Sequence, residues 1–186
     1  MEFLEANQIC EWAVGRGLRR RDGFAVQLPE LESHPPKVYV HGRRSGLEAE
    51  EARDLVAALG AWDECLVWIT LWGVWPSSED WPEFYAWRGS WGERRSVDVA
   101  PGHRFDYGEL APLARLLELV MKNAWDAEVL CSRGGRADQL RAKVSHDEWY
   151  QVLGSPTTRP AAAWHRWDHS SRVPNSVERE PTSNRQ

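Results

Sequence analysis

Apolar residues recur at helical spacing in several parts of the chain. The broadest stripe runs over residues 110–124, where Leu113, Leu117 and Met121 share one side and charged residues occupy the other. Such a pattern predicts an amphipathic helix with one buried face. Similar but shorter patterns predict four further helices, over residues 3–14, 46–59, 79–88 and 146–153.

Other segments carry the signature of strands. Residues 64–72 are almost continuously apolar, which predicts a central strand covered on both faces. Residues 126–132 and 139–145 flank the pair Gly134 and Gly135, and this arrangement predicts a hairpin. Shorter strands are predicted over residues 24–28, 37–41 and 95–99.

The order of these elements predicts an α+β fold in a single domain over residues 1–154. We expect a mixed or antiparallel sheet of about four to six strands with helices packed on it, ending in the hairpin and a short helix. A doubly wound α/β sheet is the alternative, and the hairpin argues against it because parallel strands need long crossovers. Proline, serine and charge dominate residues 155–186, which predicts a polar, poorly ordered tail.

Composition narrows the classes of partner. The 186 residues carry a formal charge of -5, whereas binding to nucleic acid or to an anionic membrane favours a basic face. No apolar run is long enough to span a membrane, and no phosphate-binding glycine motif indicates a cofactor. The three cysteines form no disulfide framework or zinc motif, and the first residues lack a secretory pattern. We therefore expect a cytoplasmic protein without a cofactor.

Tryptophan is concentrated in one region. Seven of the 12 tryptophans lie between Trp62 and Trp91. Trp68 and Trp72 fall within the apolar strand and are expected to lie in the core. Most of this density is therefore predicted to be interior, because each indole removes a large apolar area from water when it packs.

A second group of tryptophans adjoins glycines, prolines and helix ends. Trp75, Trp81 and Trp91 belong to it, and we expect part of each ring to be exposed. Together with Arg94 and Arg95 they form a predicted binding surface for a protein partner, because tryptophan and arginine are frequent at interface hot spots. Acidic residues are expected at its rim, namely Glu79, Asp80 and Glu83.

Two histidines are candidates for catalysis. His103 lies in a predicted loop with Asp106, and a histidine beside a carboxylate can act as a general base. No motif supplies a nucleophile, and Asp106 with Glu109 also fits a helix start. His146 and Asp147 form the second candidate site.

The polar residues around His146, in the segment SHDEW at 145–149, also have a structural explanation. Ser145 and Glu148 have the spacing of a capping box at the start of a helix, and Asp147 suits the positive end of that helix. This alternative would give the polar residues a role in folding and leave His146 for chemistry or partner contact.

The tail contains a candidate metal site. His165 and His169 are four residues apart, as zinc ligands on a helix would be. Arg166 stands where the HExxH signature has glutamate, so that motif is absent. The alternative is a peptide that docks through Trp164 and Trp167 onto the body of the protein or onto a partner.

Several phrases of the sequence carry a resemblance. WGVWPSSEDWPEFY, APGH, NAWDAEVL and SHDEW, within residues 62–150, resemble a group of uncharacterised bacterial proteins of similar length. This likeness implies no activity. In its size, acidity and tryptophan content the chain is also broadly similar in type to immunity proteins, which bind and neutralise a toxin.

Three functional hypotheses follow from the sequence. The first is a non-enzymatic cytosolic protein-binding module, immunity-like or accessory to a defence system, that uses exposed aromatic residues. The second is a small hydrolase-type enzyme that uses His103 or His146 with nearby carboxylates. The third is a binder of small ligands or carbohydrate that uses the tryptophan cluster.

Overall fold

A computed structural model describes residues 1–20, 26–27, 41–42, 46–147 and 149–153. A short 3-10 turn lies over Pro76–Ser78. The helices and strands, in chain order, are β1 (Glu2–Leu4), α1 (Ala6–Gly15), β2 (Arg19–Arg20), β3 (Val26–Gln27), β4 (His41–Gly42), α2 (Glu48–Leu59), β5 (Glu64–Leu71), α3 (Trp81–Ser90), β6 (Gly102–Asp106), α4 (Leu110–Lys122), β7 (Asp126–Arg133), β8 (Arg136–Ser145) and β9 (Trp149–Leu153).

Seven strands form one open sheet in the order β1-β6-β5-β7-β8-β9-β4, and every neighbouring pair is antiparallel. β2 and β3 form a separate pair. The α+β class is confirmed, and the sheet has more strands than the predicted four to six. The predicted hairpin is also confirmed as β7 and β8, with Gly134 and Gly135 at positive φ between them.

Helices cover both faces of the sheet. Along β5, Cys65, Val67 and Ile69 enter a large core with α2, α3 and α4, while Leu66 enters a smaller core with Trp12 of α1. Residues on both faces of β5 are therefore buried. This explains why its sequence is continuously apolar and does not alternate between apolar and polar residues.

Three helices lie close to their predicted ranges, namely α2, α3 and α4. The N-terminal helix begins later than predicted, because Glu2–Leu4 pairs with β6 as β1. The predicted helix over residues 146–153 is wrong. Residues Trp149–Leu153 form β9, in which Tyr150 and Val152 are buried at the period of two that a strand requires.

Other predictions have mixed outcomes. Residues 95–99 form turns rather than the predicted strand. Most positions of the predicted strands over residues 24–28 and 37–41 lie outside the described residues, and so does the whole predicted tail. Among the described residues, no helix is both long enough and apolar enough to cross a membrane.

Candidate functional site

Helix α3 carries aromatic side chains on the side that faces the sheet. Phe84 is fully buried, and its ring meets the buried Trp125 ring edge-on with centroids 4.8 Å apart. Trp81 contacts the same Trp125 ring at 4.9 Å. These rings pack α3 against the segment that joins α4 to β7. Trp81, predicted to be at a binding surface, therefore contributes half of its ring to the core.

The inner side of α3 also buries a cation. Arg88 is fully buried, and it donates from Nη1 to the Ala100 carbonyl at 3.0 Å and from Nη2 to the Arg95 carbonyl at 3.2 Å. Its guanidinium carbon lies 5.1 Å from the centre of the Phe3 ring and 5.4 Å from that of Phe84. Aromatic faces and carbonyls thus replace water around the charge, although Nε has no hydrogen-bond partner within the described part of the chain.

His103 is the neighbour of this cation. It lies on β6, not in the predicted loop, and it is fully buried. Arg88 Nη1 and His103 Nε2 are 3.2 Å apart, and His103 Nδ1 lies 3.2 Å from the Pro101 carbonyl. Because arginine can only donate, Nε2 accepts from Arg88 and Nδ1 carries the proton that it donates to Pro101.

Burial, and after it the adjacent Arg88 charge, lowers the pKa of His103 from 6.5 to about 3. The ring is therefore neutral at physiological pH, with both nitrogens occupied. Asp106 does not join it. The side chains of β6 alternate between the two faces of the sheet, so Asp106 lies on the face opposite His103. Its cross-strand register partner is Glu64 of β5. We therefore assign His103 to the core.

Arg95 closes the polar side of this cluster. It binds Glu93 from Nη2 at 2.6 Å and Glu5 from Nη1 at 3.1 Å, and it also donates to the Phe3 carbonyl at 3.2 Å. Hydrogen bonds from Arg95 lower the pKa of Glu93 to about 2. Arg95, a predicted partner contact, ties the loop after α3 to the N-terminal strand, and Arg94, the other predicted arginine, is exposed.

The solvent side of α3 is different. Trp75 is 57% exposed, Trp91 is 45% exposed and Tyr85 is 37% exposed. Tyr85 stacks on the half-buried Trp81, with ring centroids 5.8 Å apart. We call these four side chains the α3 surface: Trp75 before the helix, Trp81 and Tyr85 on it, and Trp91 at its end.

The backbone of Trp75 is held firmly although its ring is exposed. The Trp75 carbonyl accepts from Ser78 N at 2.9 Å and from Ser78 Oγ at 3.0 Å, which fixes the 3-10 turn. Glu79 Oε1 accepts from Gly73 N at 2.7 Å and closes the loop around it. The exposed indole therefore projects from a braced turn.

Trp91 is held in a comparable way. It is the C-cap residue of α3, and its backbone N–H donates to the Arg88 carbonyl at 3.0 Å. The next residue, Gly92, adopts φ 82° and donates to the Gly89 carbonyl at 3.0 Å. A left-handed residue after a helix suits glycine because it lacks Cβ. Trp91 is thus presented at a well-formed helix end.

The acidic residues predicted for the rim already have partners. Asp80 caps α3 by accepting from Glu83 N at 3.1 Å, and Lys122 approaches Asp80 at 3.2 Å and also pairs with Glu83. Arg115 pairs with Glu83 at 2.5 Å. The backbone hydrogen bond from Glu83 lowers the pKa of Asp80, and the bond from Lys122 lowers that of Glu83. These carboxylates are therefore neutralised within the protein.

A second cluster of polar residues surrounds His146. Asp126 Oδ1 accepts from His146 Nδ1 at 2.8 Å and from the His146 backbone N–H at 2.7 Å, and it orients the ring. Asp147 Oδ1 lies 3.4 Å from Nε2. Ser145 Oγ accepts from Asp147 N at 3.3 Å within a strand-to-strand turn, so the predicted capping box does not form. Glu148 lies outside the described residues.

A groove of about 380 Å³ lies elsewhere, between α2 and α4. Its lining includes Arg53, Val56, Leu110 and Arg115. None of the predicted site residues lines it. Within the described ranges, no group of three or more histidine, cysteine, aspartate or glutamate side chains could hold a metal ion. His165 and His169 lie outside those ranges.

Two features of these sites were not predicted. Sequence reasoning did not identify Arg88 as a buried cation, although its helical spacing from Phe84 puts both side chains on one face. It also missed Asp126 as the partner of His146, because the register of the hairpin decides that contact. Comparison of the chain with protein-family models, with curated proteins and with solved structures found no match.

Proposed function

We propose that this protein is a non-enzymatic binding module that recognises a protein partner through the α3 surface. The observation that carries the proposal is the exposure of Trp75 and Trp91, whereas most other large apolar residues that the structure describes are buried. Hot spots of protein interfaces are enriched in tryptophan, tyrosine and arginine, and such side chains fill pockets on the partner.

Braced aromatic residues make this surface suitable for binding. A partner that takes up an indole must normally immobilise it, and this costs free energy on association. At Trp75 and Trp91 the backbone hydrogen bonds described above are already formed. The remaining cost is the ordering of two side-chain dihedral angles per ring, which favours these residues as anchors.

The two anchors lie on different elements, Trp75 at the start of the 3-10 turn and Trp91 at the C-cap of α3. Large aromatic anchors of this kind are typical of surfaces that bind proteins. An immunity-like or defence-accessory role in a bacterial cytoplasm is the version of this function that we favour.

The test combines partner capture with a matched pair of variants. The full chain is tagged and purified from its native host, the bound protein is identified by mass, and its affinity is measured with purified components. The Trp75→Ala/Trp91→Ala variant should lose about 100-fold or more in affinity. Its melting temperature should change by no more than about 3 °C, because both rings are exposed.

The control variant removes exposed apolar groups from the other end of the sheet. Val14 and Tyr107 are 48% and 58% exposed, and the Val14→Ala/Tyr107→Ala variant should bind as the unmodified protein does. Equal affinity of the tryptophan variant and this control would contradict the proposal. A large loss of stability in the tryptophan variant would place the rings in the core and would equally contradict it.

A second candidate function rests on the His146–Asp126 pair. A carboxylate that accepts from Nδ1 orients a half-buried imidazole as in a general base, and the exposed Asp147 carboxylate, 3.4 Å from Nε2, must turn away before Nε2 can act. A small hydrolase that activates water at Nε2 is the corresponding activity. If it exists, turnover of activated esters or phosphodiesters should disappear in both His146→Gln and Asp126→Asn. Identical background rates in all three proteins would eliminate it.

A further inference from the structure

Two of the three cysteines face each other across the centre of the sheet. Cys65 of β5 and Cys131 of β7 are direct register partners, and their sulfur atoms are 3.7 Å apart. Both thiols are free and buried. Their separation of 66 residues along the sequence gave no sign of this contact.

The backbone pattern shows which kind of cross-strand pair this is. Ile69 donates its N–H to the Pro101 carbonyl at 3.1 Å, so the odd-numbered residues of β5 direct their backbone groups toward β6. Cys65 shares this parity and therefore makes no ladder bonds with β7. In such a non-hydrogen-bonded pair the Cα atoms are about 4.5 Å apart, at the lower end of the range that a disulfide spans.

We propose that Cys65 and Cys131 form a cross-strand disulfide when the protein meets a peroxide, so that β5 and β7 become covalently linked. This modification site is independent of the α3 surface. The sulfur atoms must approach from 3.7 Å to about 2.05 Å, and rotation about the Cα–Cβ bonds can provide this while the strands stay paired.

The chemistry is balanced by one peroxide per disulfide. The thiolate of one cysteine attacks the O–O bond, forms a sulfenic acid and releases hydroxide. The second thiol then displaces water from that sulfenic acid and forms the S–S bond. Overall two S–H bonds are lost, sulfur is oxidised by two electrons, and hydrogen peroxide is reduced to two molecules of water.

The two cysteines have different roles in this sequence. Cys65 is completely shielded, whereas Cys131 retains slight exposure beside the end of β7. Burial also raises the pKa of the Cys65 thiol well above its ordinary value, which leaves little of the reactive thiolate. Because peroxide reaches the slightly exposed Cys131 first, Cys131 is the attacking cysteine and Cys65 the resolving one. The reaction is expected to be slow, because peroxide must reach a shielded thiol.

The experiment treats the full chain with hydrogen peroxide and follows intact mass, then maps peptides without reduction. We expect the loss of two hydrogen atoms, a linked peptide pair containing Cys65 and Cys131, and reversal by dithiothreitol. The link closes a loop of 66 residues, so the melting temperature should rise by about 5–10 °C. Mapping the unmodified protein avoids dependence on a variant that folds poorly.

Cys10 provides the matched control, because it lies on α1, which covers the other face of the sheet. Cys10→Ser should form the link at the same rate, and Cys65→Ala should not form it at all. The proposal is overturned if peroxide leaves the three thiols unchanged, links Cys10, or drives Cys131 to sulfinic acid without a disulfide.

Discussion

The inner and outer sides of α3 use the same residue types for different purposes. On the inner side Phe84 is buried against Trp125 and beside the Arg88–His103 contact. On the outer side Tyr85 stacks on Trp81 and remains 37% exposed. Aromatic density alone therefore does not distinguish core from surface. The distinction comes from the sheet, which covers one side of the helix and leaves the other to solvent.

This contrast also concerns charge. The cation on the inner side, Arg88, is surrounded by carbonyls and rings, and its pKa is lowered by burial. Near the outer side, Glu83 and Asp80 are already ion-paired with Lys122 and Arg115. What remains for a partner at the α3 surface is mainly apolar. We therefore expect binding that depends only weakly on salt, since exposed ion pairs contribute little.

The largest difference in stability should separate two adjacent residues of α3, Phe84 on the inner side and Tyr85 on the outer side. Phe84→Ala removes a buried ring and should lower the free energy of unfolding by about 3–5 kcal/mol. Tyr85→Ala removes a partly exposed ring and the hydrogen bond that its hydroxyl accepts from Val97 N at 3.2 Å, and should cost about 1 kcal/mol. Denaturant titration gives both values. Equal losses would mean that the two sides of α3 are not different environments.

The next effect is a pH dependence that originates on the inner side. His103 has a folded pKa of about 3 against 6.5 when unfolded, so the unfolded chain binds the extra proton as pH falls. The contribution of the neutral His103 ring to the free energy of unfolding is therefore complete above pH 6.5. It is lost toward pH 3, at about 1.4 kcal/mol per pH unit. The free energy of unfolding should show this slope between pH 6.5 and 4.5. At lower pH, carboxylates such as Glu93 also take up protons in the unfolded chain and add their own pH dependence.

His103→Gln should flatten that part of the pH profile, whatever its effect on stability at neutral pH. In the unmodified protein, the ring resonances of His103 should remain those of the neutral Nδ1–H form at pH 5. A His103 ring that titrates near its ordinary pKa would show that water reaches the inner side of α3.

Substitutions at two glycines should change stability in opposite directions, and the one on α3 should have the smallest effect. A Cβ at Gly102 would lie 2.7 Å from Ile9 Cγ1, so Gly102→Ala should destabilise the protein by about 1–3 kcal/mol. A Cβ at Gly89 of α3 would meet no heavy atom within 4 Å, so Gly89→Ala should stabilise it by about 0.5–1 kcal/mol. Thermal unfolding measures both changes. Destabilisation by Gly89→Ala would indicate that this side of α3 is packed against something.

Periodicity predicted the elements whose packing is regular. Helix α4 and the continuous apolar strand β5 were evident, because each presents one consistent pattern to the core. Residues 146–153 were misread because a short segment with a polar start fits a capped helix locally, while pairing with β8 decides its structure. Strand β1 has three residues, too few for any pattern to be visible.

The candidate sites depended on contacts that sequence spacing does not encode. If the β7–β8 hairpin had no bulge, the register set by Arg133 opposite Arg136 would continue along both strands. Asp126 would then lie opposite Lys143. The observed shift between Cys131 and Arg133 moves Asp126 next to His146 instead. In contrast, the exposure of Trp75 and Trp91 followed from their local surroundings, a proline and a glycine that end regular structure.

The central claim is that the outer side of α3 is a recognition surface and the inner side is core. Oxidative footprinting of tryptophan, with and without the captured partner, tests it most directly. We expect Trp75 and Trp91 to be oxidised in the free protein and protected in the complex, while Trp125 and Trp62 stay unmodified in both. Unchanged oxidation of Trp75 and Trp91 in the complex would contradict the claim.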